Sequence, residues 1–253
     1  MIDTLEHHPV ILIPLPDNDF DPTEAATPWK ACTGRGWNVI FSTEHGQVAE
    51  ADPRLLKGPI LGPLGASSKV LAAYRSMQQD AAYNHPITYA DINPAQFTAV
   101  VLPGGHAPRV KQYLESTVLQ AKIVEFWKQG KVVGAICHGV LVAARAVDPD
   151  TGHSILYGSK ATALTKDQEV AVFYLTFWLL GRRYRTYPCY VADEVRGVME
   201  HPQDFKTGRR MLEPFAMRDG RLVTARASFD ADVFTNLFVE VVEEQITNPE
   251  KVS

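Results

Sequence analysis

Cys137 and His138 stand side by side in Ala135-Ile136-Cys137-His138-Gly139, a thiol nucleophile next to an imidazole base. Small residues lie two places before and two places after the cysteine. That spacing suits a sharp strand-to-helix elbow, which tolerates little bulk and pushes its central side chain out over a sheet edge. A thiol at the start of the following helix faces that helix's positive end, an arrangement expected to favour thiolate. Free cysteines are commonly small buried hydrophobes. Strand, small-x-Cys-x-Gly and helix in succession favour the functional reading.

Two other segments bear on the same chemistry. Pro103-Gly104-Gly105-His106 brings two glycines whose backbone N–H groups can approach a ligand closely. With the His138 N–H they make a candidate oxyanion hole for a tetrahedral intermediate at a carbonyl, with His106 beside it. Glu24, in Asp21-Pro22-Thr23-Glu24, has two open readings: a carboxylate complementing a helix N-terminus, or a carboxyl that shuttles a proton beside the thiol.

The elements that must position these residues follow from the pattern of the chain. Val10 to Ile13 is a short apolar run that reads as a buried parallel strand. Asp21 caps a helix with proline in its first turn, running to about Gly34 or Gly36. Residues 37–43 form a second strand, and Ser67 or Ser68 caps a helix through about Asp80. Residues 97–102 form a third strand, 113–129 a helix stopped by Gly130, 131–136 a fourth strand and 138–146 a helix. Alternation of this kind implies a parallel sheet covered on both faces, with ligands at the carboxyl ends of the strands. The stretch 51–66, rich in Gly and Pro, reads as an ordered excursion. After Asp148 the expectations are a strand pair within 155–164, a helix over 167–180, a late strand at Leu222 to Thr224 and a closing helix over 230–245.

At 253 residues, 45% apolar, 21% charged and with a net charge of -4, the chain fits one large domain and lacks the basic stripe that nucleic acid requires. Three cysteines, Cys32, Cys137 and Cys189, make no disulfide framework and no CxxC metal pair. The first nine residues lack the basic and apolar regions of a secretory signal, and the longest apolar run, 170–180, is about half of what a membrane span needs. These features point to the cytoplasm, with no nucleic-acid or membrane partner. The aromatics Phe173, Tyr174, Phe177, Trp178, Tyr184 and Tyr187 suggest core or dimer packing, and hence a homodimer, over a substrate wall.

The segments VVLPGGHAPRV, YLES and GKVVGAICHGVLVAARA resemble the DJ/ThiJ/PfpI superfamily over residues 8 to 165. The likeness is to its larger chaperone and glyoxalase III branch. It implies an α/β fold, a parallel-sheet three-layer sandwich of the flavodoxin-like, class I glutamine amidotransferase-like kind. Residues 1–253 are expected to form a single domain with a small cap or insertion around 45–66 and 166–215. Cys137 matches the family nucleophile, His138 the residue beside it, Glu24 the glutamate that hydrogen-bonds the thiol, and Gly104 and Gly105 the backbone donors. Larger members carry an acid that orients the histidine. Lys166 falls at that place, so Asp167 or Glu169 would have to serve. The metal ligands of the chaperone branch do not carry over, because Cys32 and Trp37 stand near those positions, and no metal is expected. Glutaminase chemistry is disfavoured by His138 after the nucleophile and by the lack of a His-x-Glu pair downstream.

The activity so implied is a cofactor-independent, glyoxalase III-like conversion of a 2-oxoaldehyde, a small carbonyl partner, to a 2-hydroxy acid. No phosphate-binding Gly-rich loop argues for a nucleotide. The alternatives are a cysteine amidase, peptidase or hydratase, and a non-enzymatic holdase or redox sensor in which the thiol becomes a sulfinic acid.

Overall fold

The computed structural model describes residues 8–57 and 65–248. Its strands are β1 (Val10–Pro14), β2 (Asn18–Phe20), β3 (Asn38–Thr43), β4 (Glu50–Ala51), β5 (Ile87–Thr88), β6 (Ala99–Leu102), β7 (Val132–Ile136), β8 (Ala216–Asp219) and β9 (Leu222–Ala225). The helices are α1 (Pro22–Thr33), α2 (Pro53–Leu56), α3 (Ser68–Met77), α4 (Ala81–Asn84), α5 (Lys111–Leu114), α6 (Thr117–Lys128), α7 (Val140–Arg145), α8 (Lys166–Leu180), α9 (Val191–Val198) and α10 (Ala231–Thr247).

Seven strands form one sheet in the order β5-β3-β1-β6-β7-β9-β8. All pairs are parallel except β8 with β9, which closes one edge as a hairpin. The central strands are apolar along their whole length, as burial on both faces requires. α1, α3 and α10 pack together in one layer, and α6, α7 and α9 in another. β7 shows how closely the first layer sits: a Cβ on Gly134 would lie 2.7 Å from Phe238 and 3.0 Å from Phe234 on α10. The result is the expected three-layer α/β sandwich.

Chain order explains where the site falls. From β1 the chain moves outward through β3 to β5, then returns to β6 on the other side of β1 and runs outward through β7 to β9. The crevice between β1 and β6 is therefore the switch point at which such sheets bind ligands. Leu102 pairs with Ala135 across β6 and β7. Continuing that register brings the turn after β6 alongside the elbow after β7.

Several expectations change in detail. The helix read over 113–129 is two: Ser116 adopts an extended backbone and caps α6, its side chain accepting from Leu119 N–H. In place of a strand pair over 155–164 there are single bridges, Val147 with Ser154 and Ala161 with Phe205. Within the excursion, β4 pairs with β2 in a separate small sheet and α2 follows. Residues 58–64 of that stretch lie outside the described residues. Among the described residues no helix is long and apolar enough to cross a membrane.

Candidate active site

Cys137 sits at the end of β7 with φ at 58°, left-handed backbone that an L-residue adopts at a cost of about 1–3 kcal/mol. Gly139 makes the turn possible, since a Cβ there would fall 2.1 Å from the Leu102 carbonyl oxygen. The thiol is fully buried, as is His138, whose Nδ1 lies 3.6 Å from Sγ. The elbow read from small-x-Cys-x-Gly is thus present in geometry, with the close strand packing that requires its glycine.

Glu24 arrives from the other side of the switch point. Asp21 caps α1 by accepting from Thr23 N–H at 2.8 Å, and Pro22 opens the helix, which turns Glu24 inward to near-complete burial. Its Oε2 accepts the Gly104 N–H at 2.7 Å. Oε1 has no partner of ordinary hydrogen-bond geometry, although the carboxyl and the Cys137 thiol interact directly. Both readings of Glu24 from sequence therefore apply in part: it lies in the first helical turn, and it reaches the thiol.

The Gly-Gly turn is held from two sides. A Cβ on Gly104 would lie 2.7 Å from His138 N, and one on Gly105 would lie 2.5 Å from the Asp19 carbonyl oxygen. Asp19, itself left-handed at φ 73°, takes three hydrogen bonds from Arg109: from its backbone N–H, Nε and Nη2. This clamp ties the loop that carries Glu24 to the one that carries Gly104 to His106. The oxyanion hole needs revision, because Gly104 N–H is committed to Glu24 and His138 N–H faces the thiol sulfur. Gly105 remains as the donor not already taken among the described residues.

The electrostatics reverse another expectation. Burial pushes Cys137 well above the usual thiol range, and the negative charges of Glu24 and Asp21 push it further, against a smaller opposing effect of the His138 N–H. Glu24 is likewise raised well above the carboxylate range, by burial first and the Asp21 charge second. Asp21 rises to about 6, again chiefly through burial. Burial thus favours the neutral forms of both the thiol and the Glu24 carboxyl. Helix-end stabilisation of a thiolate loses to desolvation here. Burial lowers His138 well below the usual imidazole range, with His106 and Arg145 adding to the effect, so it rests as a neutral base.

The family described as ThiJ/PfpI family-like matches residues 15–188. The chain belongs to this ThiJ/PfpI family. Among curated relatives, an uncharacterised protein of Schizosaccharomyces pombe is 33% identical over 116 residues, 45% of this chain and 43% of that one. The chain therefore aligns to less than half of that relative's length. Deglycase PfpI of Pyrococcus furiosus is 28% identical over 141 residues, 55% of this chain and 68% of the relative. Among solved structures, the Rapid Encystment Protein of Francisella tularensis superposes with a TM-score of 0.72 at 16% identity, covering 92% of this chain and 99% of that one. Glyoxalase III from Candida albicans gives 0.64 at 17%, covering 92% and 96%. These two likenesses show the fold.

One element expected of the larger ThiJ/PfpI members is not assembled. Asp167 is exposed on the first turn of α8. Glu169 is buried, but its Oε2 accepts Val191 N–H at 3.0 Å and so anchors the start of α9. Neither carboxylate hydrogen-bonds His138, and His138 Nε2 has no partner among the described residues. Thr165 and Gln168 form a capping box that fixes where α8 begins, and from that start Asp167 lies on the exposed side of the first turn while Glu169 turns to α9.

The segment after α8 meets the site at His106, the residue expected beside the substrate. Tyr184 packs near the His106 ring and donates its hydroxyl to Asp52, while Thr186 Oγ1 donates to the His106 carbonyl at 2.9 Å. Leu55, Ala107, Val172 and Tyr184 form a small apolar cluster there. These contacts join the excursion after β4 to the segment after α8, and Tyr184 and Asp52 carry no sequence motif that would single them out. The other aromatics of α8 behave differently from a core stripe, since Tyr174, Phe177 and Trp178 are exposed. A cavity between α1, α3 and α10 is lined by Thr27, Lys30 and Asp232 among others and contains none of these site residues.

Proposed function

We propose that this chain is a cofactor-independent cysteine enzyme acting on small reactive carbonyls, converting a 2-oxoaldehyde to a 2-hydroxy acid. The observation that carries the reading is the Cys137–Glu24 pair, a buried thiol facing a buried carboxylic acid with a neutral imidazole 3.6 Å from the sulfur. Relatives named deglycase and glyoxalase III support carbonyl chemistry. Full burial of Cys137 favours a small substrate that enters past His106.

In this mechanism His138 accepts the thiol proton as Sγ attacks the aldehyde carbon, and the new oxyanion takes a proton from Glu24, giving a hemithioacetal. Gly105 N–H stabilises the charge as it develops. Glu24, now ionised, takes the C1 proton to give an enediol and returns it at C2, while the C1 hydroxyl proton passes to the C2 oxygen, which leaves a thioester of the 2-hydroxy acid. Water attacks the thioester, its hydroxyl joining the acyl carbon and its other proton restoring Glu24, while His138 returns its proton to the departing sulfur. Atoms balance as 2-oxoaldehyde plus water to 2-hydroxy acid.

The test is methylglyoxal turnover by wild type and Cys137→Ala. The expected result is a fall to the uncatalysed rate, and unchanged turnover overturns the assignment. An amide and nitrile panel on the same two proteins checks the hydrolase or hydratase alternative.

A homodimer, a cytoplasmic site of action and a single domain belong to the same reading. The exposed Tyr174, Leu175, Phe177, Trp178 and Leu179 of α8 favour the dimer. Sedimentation of Trp178→Glu as a monomer beside a wild-type dimer is the expected outcome.

A further inference from the structure

Three metal-ligating side chains meet at the elbow. Cys137 Sγ, a nitrogen of His138 and a nitrogen of His106 lie within 4.8 Å of one another. The Sγ to Nδ1 edge of 3.6 Å is close to the separation of about 3.5 Å that follows from bonds of ~2.3 Å to sulfur and ~2.0 Å to nitrogen at the tetrahedral angle. The His106 and His138 rings stand edge to face, with centroids 4.8 Å apart.

Two further observations point to a ligand at this place. Nε2 of His106 is buried without a hydrogen bond, which leaves that ring with an unmet partner beside the thiol and His138. The side chains gathered here also include Glu24, which reaches the thiol, and Asp21, two carboxyl groups close enough to act on the sulfur.

We propose that Cys137, His138 and His106 form a binding site for a thiophilic divalent ion of the zinc class, competing with the carbonyl substrate for the thiol. Binding forms an S–metal bond and releases the thiol proton, to Glu24 where that carboxyl is ionised and otherwise to solvent. Two protein nitrogens and one sulfur leave a fourth position for water, as open zinc sites do. The site shares its thiol with the proposed function but does not depend on the carbonyl reading.

Cobalt(II) titration of the full chain tests it. The expected result is one Co²⁺ per chain, with a thiolate-to-cobalt charge-transfer band in the near ultraviolet that Zn²⁺ displaces. Cys137→Ser abolishes the band. His106→Asn weakens binding by about 10-fold or more and is the variant to rely on if Cys137→Ser melts abnormally by circular dichroism. His45→Ala, in the exposed Asp17, Glu44 and His45 cluster, leaves the band intact. No band at micromolar Co²⁺, or a band that His106→Asn leaves at full affinity, overturns the proposal. A chain that shows the band yet turns over no 2-oxoaldehyde keeps the metal site and removes the carbonyl reading. Turnover without the band does the reverse.

Discussion

Among the described residues, the buried ionisable groups around Arg226 and those around Cys137 are built on opposite principles. Arg226 and Asp230 are both fully enclosed. Arg226 uses all five of its N–H donors: Nε and Nη2 on Asp230, Nη1 on the Thr207 and Arg210 carbonyls, and Nη2 again on the Glu213 carbonyl. Asp230 also accepts from the backbone N–H of Phe215 and of Arg226. The cluster around Cys137 has two raised acids, a raised thiol and orphan atoms at Glu24 Oε1, His138 Nε2 and His106 Nε2. A saturated network organises the chain around it, here the 207–215 loop. An unsaturated one keeps reactive protons and lone pairs available, at a cost that the surrounding sheet must bear.

Breaking the saturated cluster has the largest expected effect on stability. Arg226→Met leaves the Asp230 carboxylate buried without its cation and strands three carbonyls, which costs about 3–5 kcal/mol. The measurement is the urea midpoint at constant slope. Methylglyoxal turnover per folded molecule should stay near wild type. A loss of turnover without a loss of stability would show that the two clusters are not separate in role.

Glu24→Gln breaks the other cluster with the opposite signature. Glutamine keeps the bond from Gly104 N–H and the shape of the side chain, but has no proton to shuttle. Turnover should fall by about 100-fold, while the unfolding midpoint holds or rises because a desolvated acid has been removed. Near-normal turnover by the glutamine variant would mean that the carboxyl acts only as a hydrogen-bond partner of the thiol.

What the sequence made legible follows the same division. The elbow, the Gly-Gly turn and Glu24 could be read because each occupies a place where backbone geometry restricts residue type: Gly139 against the Leu102 carbonyl, Gly105 against Asp19 and Asp21 as the cap of α1. The strands β1, β3, β6, β7 and β9 could be read because burial on both faces leaves continuous apolar runs. β8 was missed because its residues are half-buried and largely polar, as suits an edge strand. Its signal was the Asp219-Gly220 pair, a hairpin turn with Gly220 at φ 55°. α9 buries Val191, Ala192 and Val195 on one face, a helical spacing that was there to be found. The protonation of the site was not legible. A thiol at a helix start looks activated in one dimension, and only the fold reveals that Asp21 and Glu24 are enclosed with it. The same holds for Asp167 and Glu169, whose distance from His138 depends on how the capping box sets the start of α8.

The smallest expected effect sharpens the comparison through pH. An aspartate in the unfolded chain releases its proton near pH 3.9, whereas folded Asp21 holds it to about 6. Between those values the folded chain binds a proton that the unfolded chain has lost, so stability falls as pH rises. The contribution is full below pH 4 and is lost as pH rises through 6, with a loss of about 3 kcal/mol. Asp21→Asn retains the acceptor for Thr23 N–H and abolishes the titration, so its urea midpoint should decline less than that of wild type between pH 4 and 7. Other titrating groups contribute to both curves, and the difference isolates Asp21 together with its push on Glu24, which is the second cause of that residue's rise. Parallel curves would mean that Asp21 ionises freely in the folded chain. The acid cluster would then resemble the Arg226 network, satisfied in its charged form, and the protonated resting state of Cys137 would rest on burial and Glu24 alone.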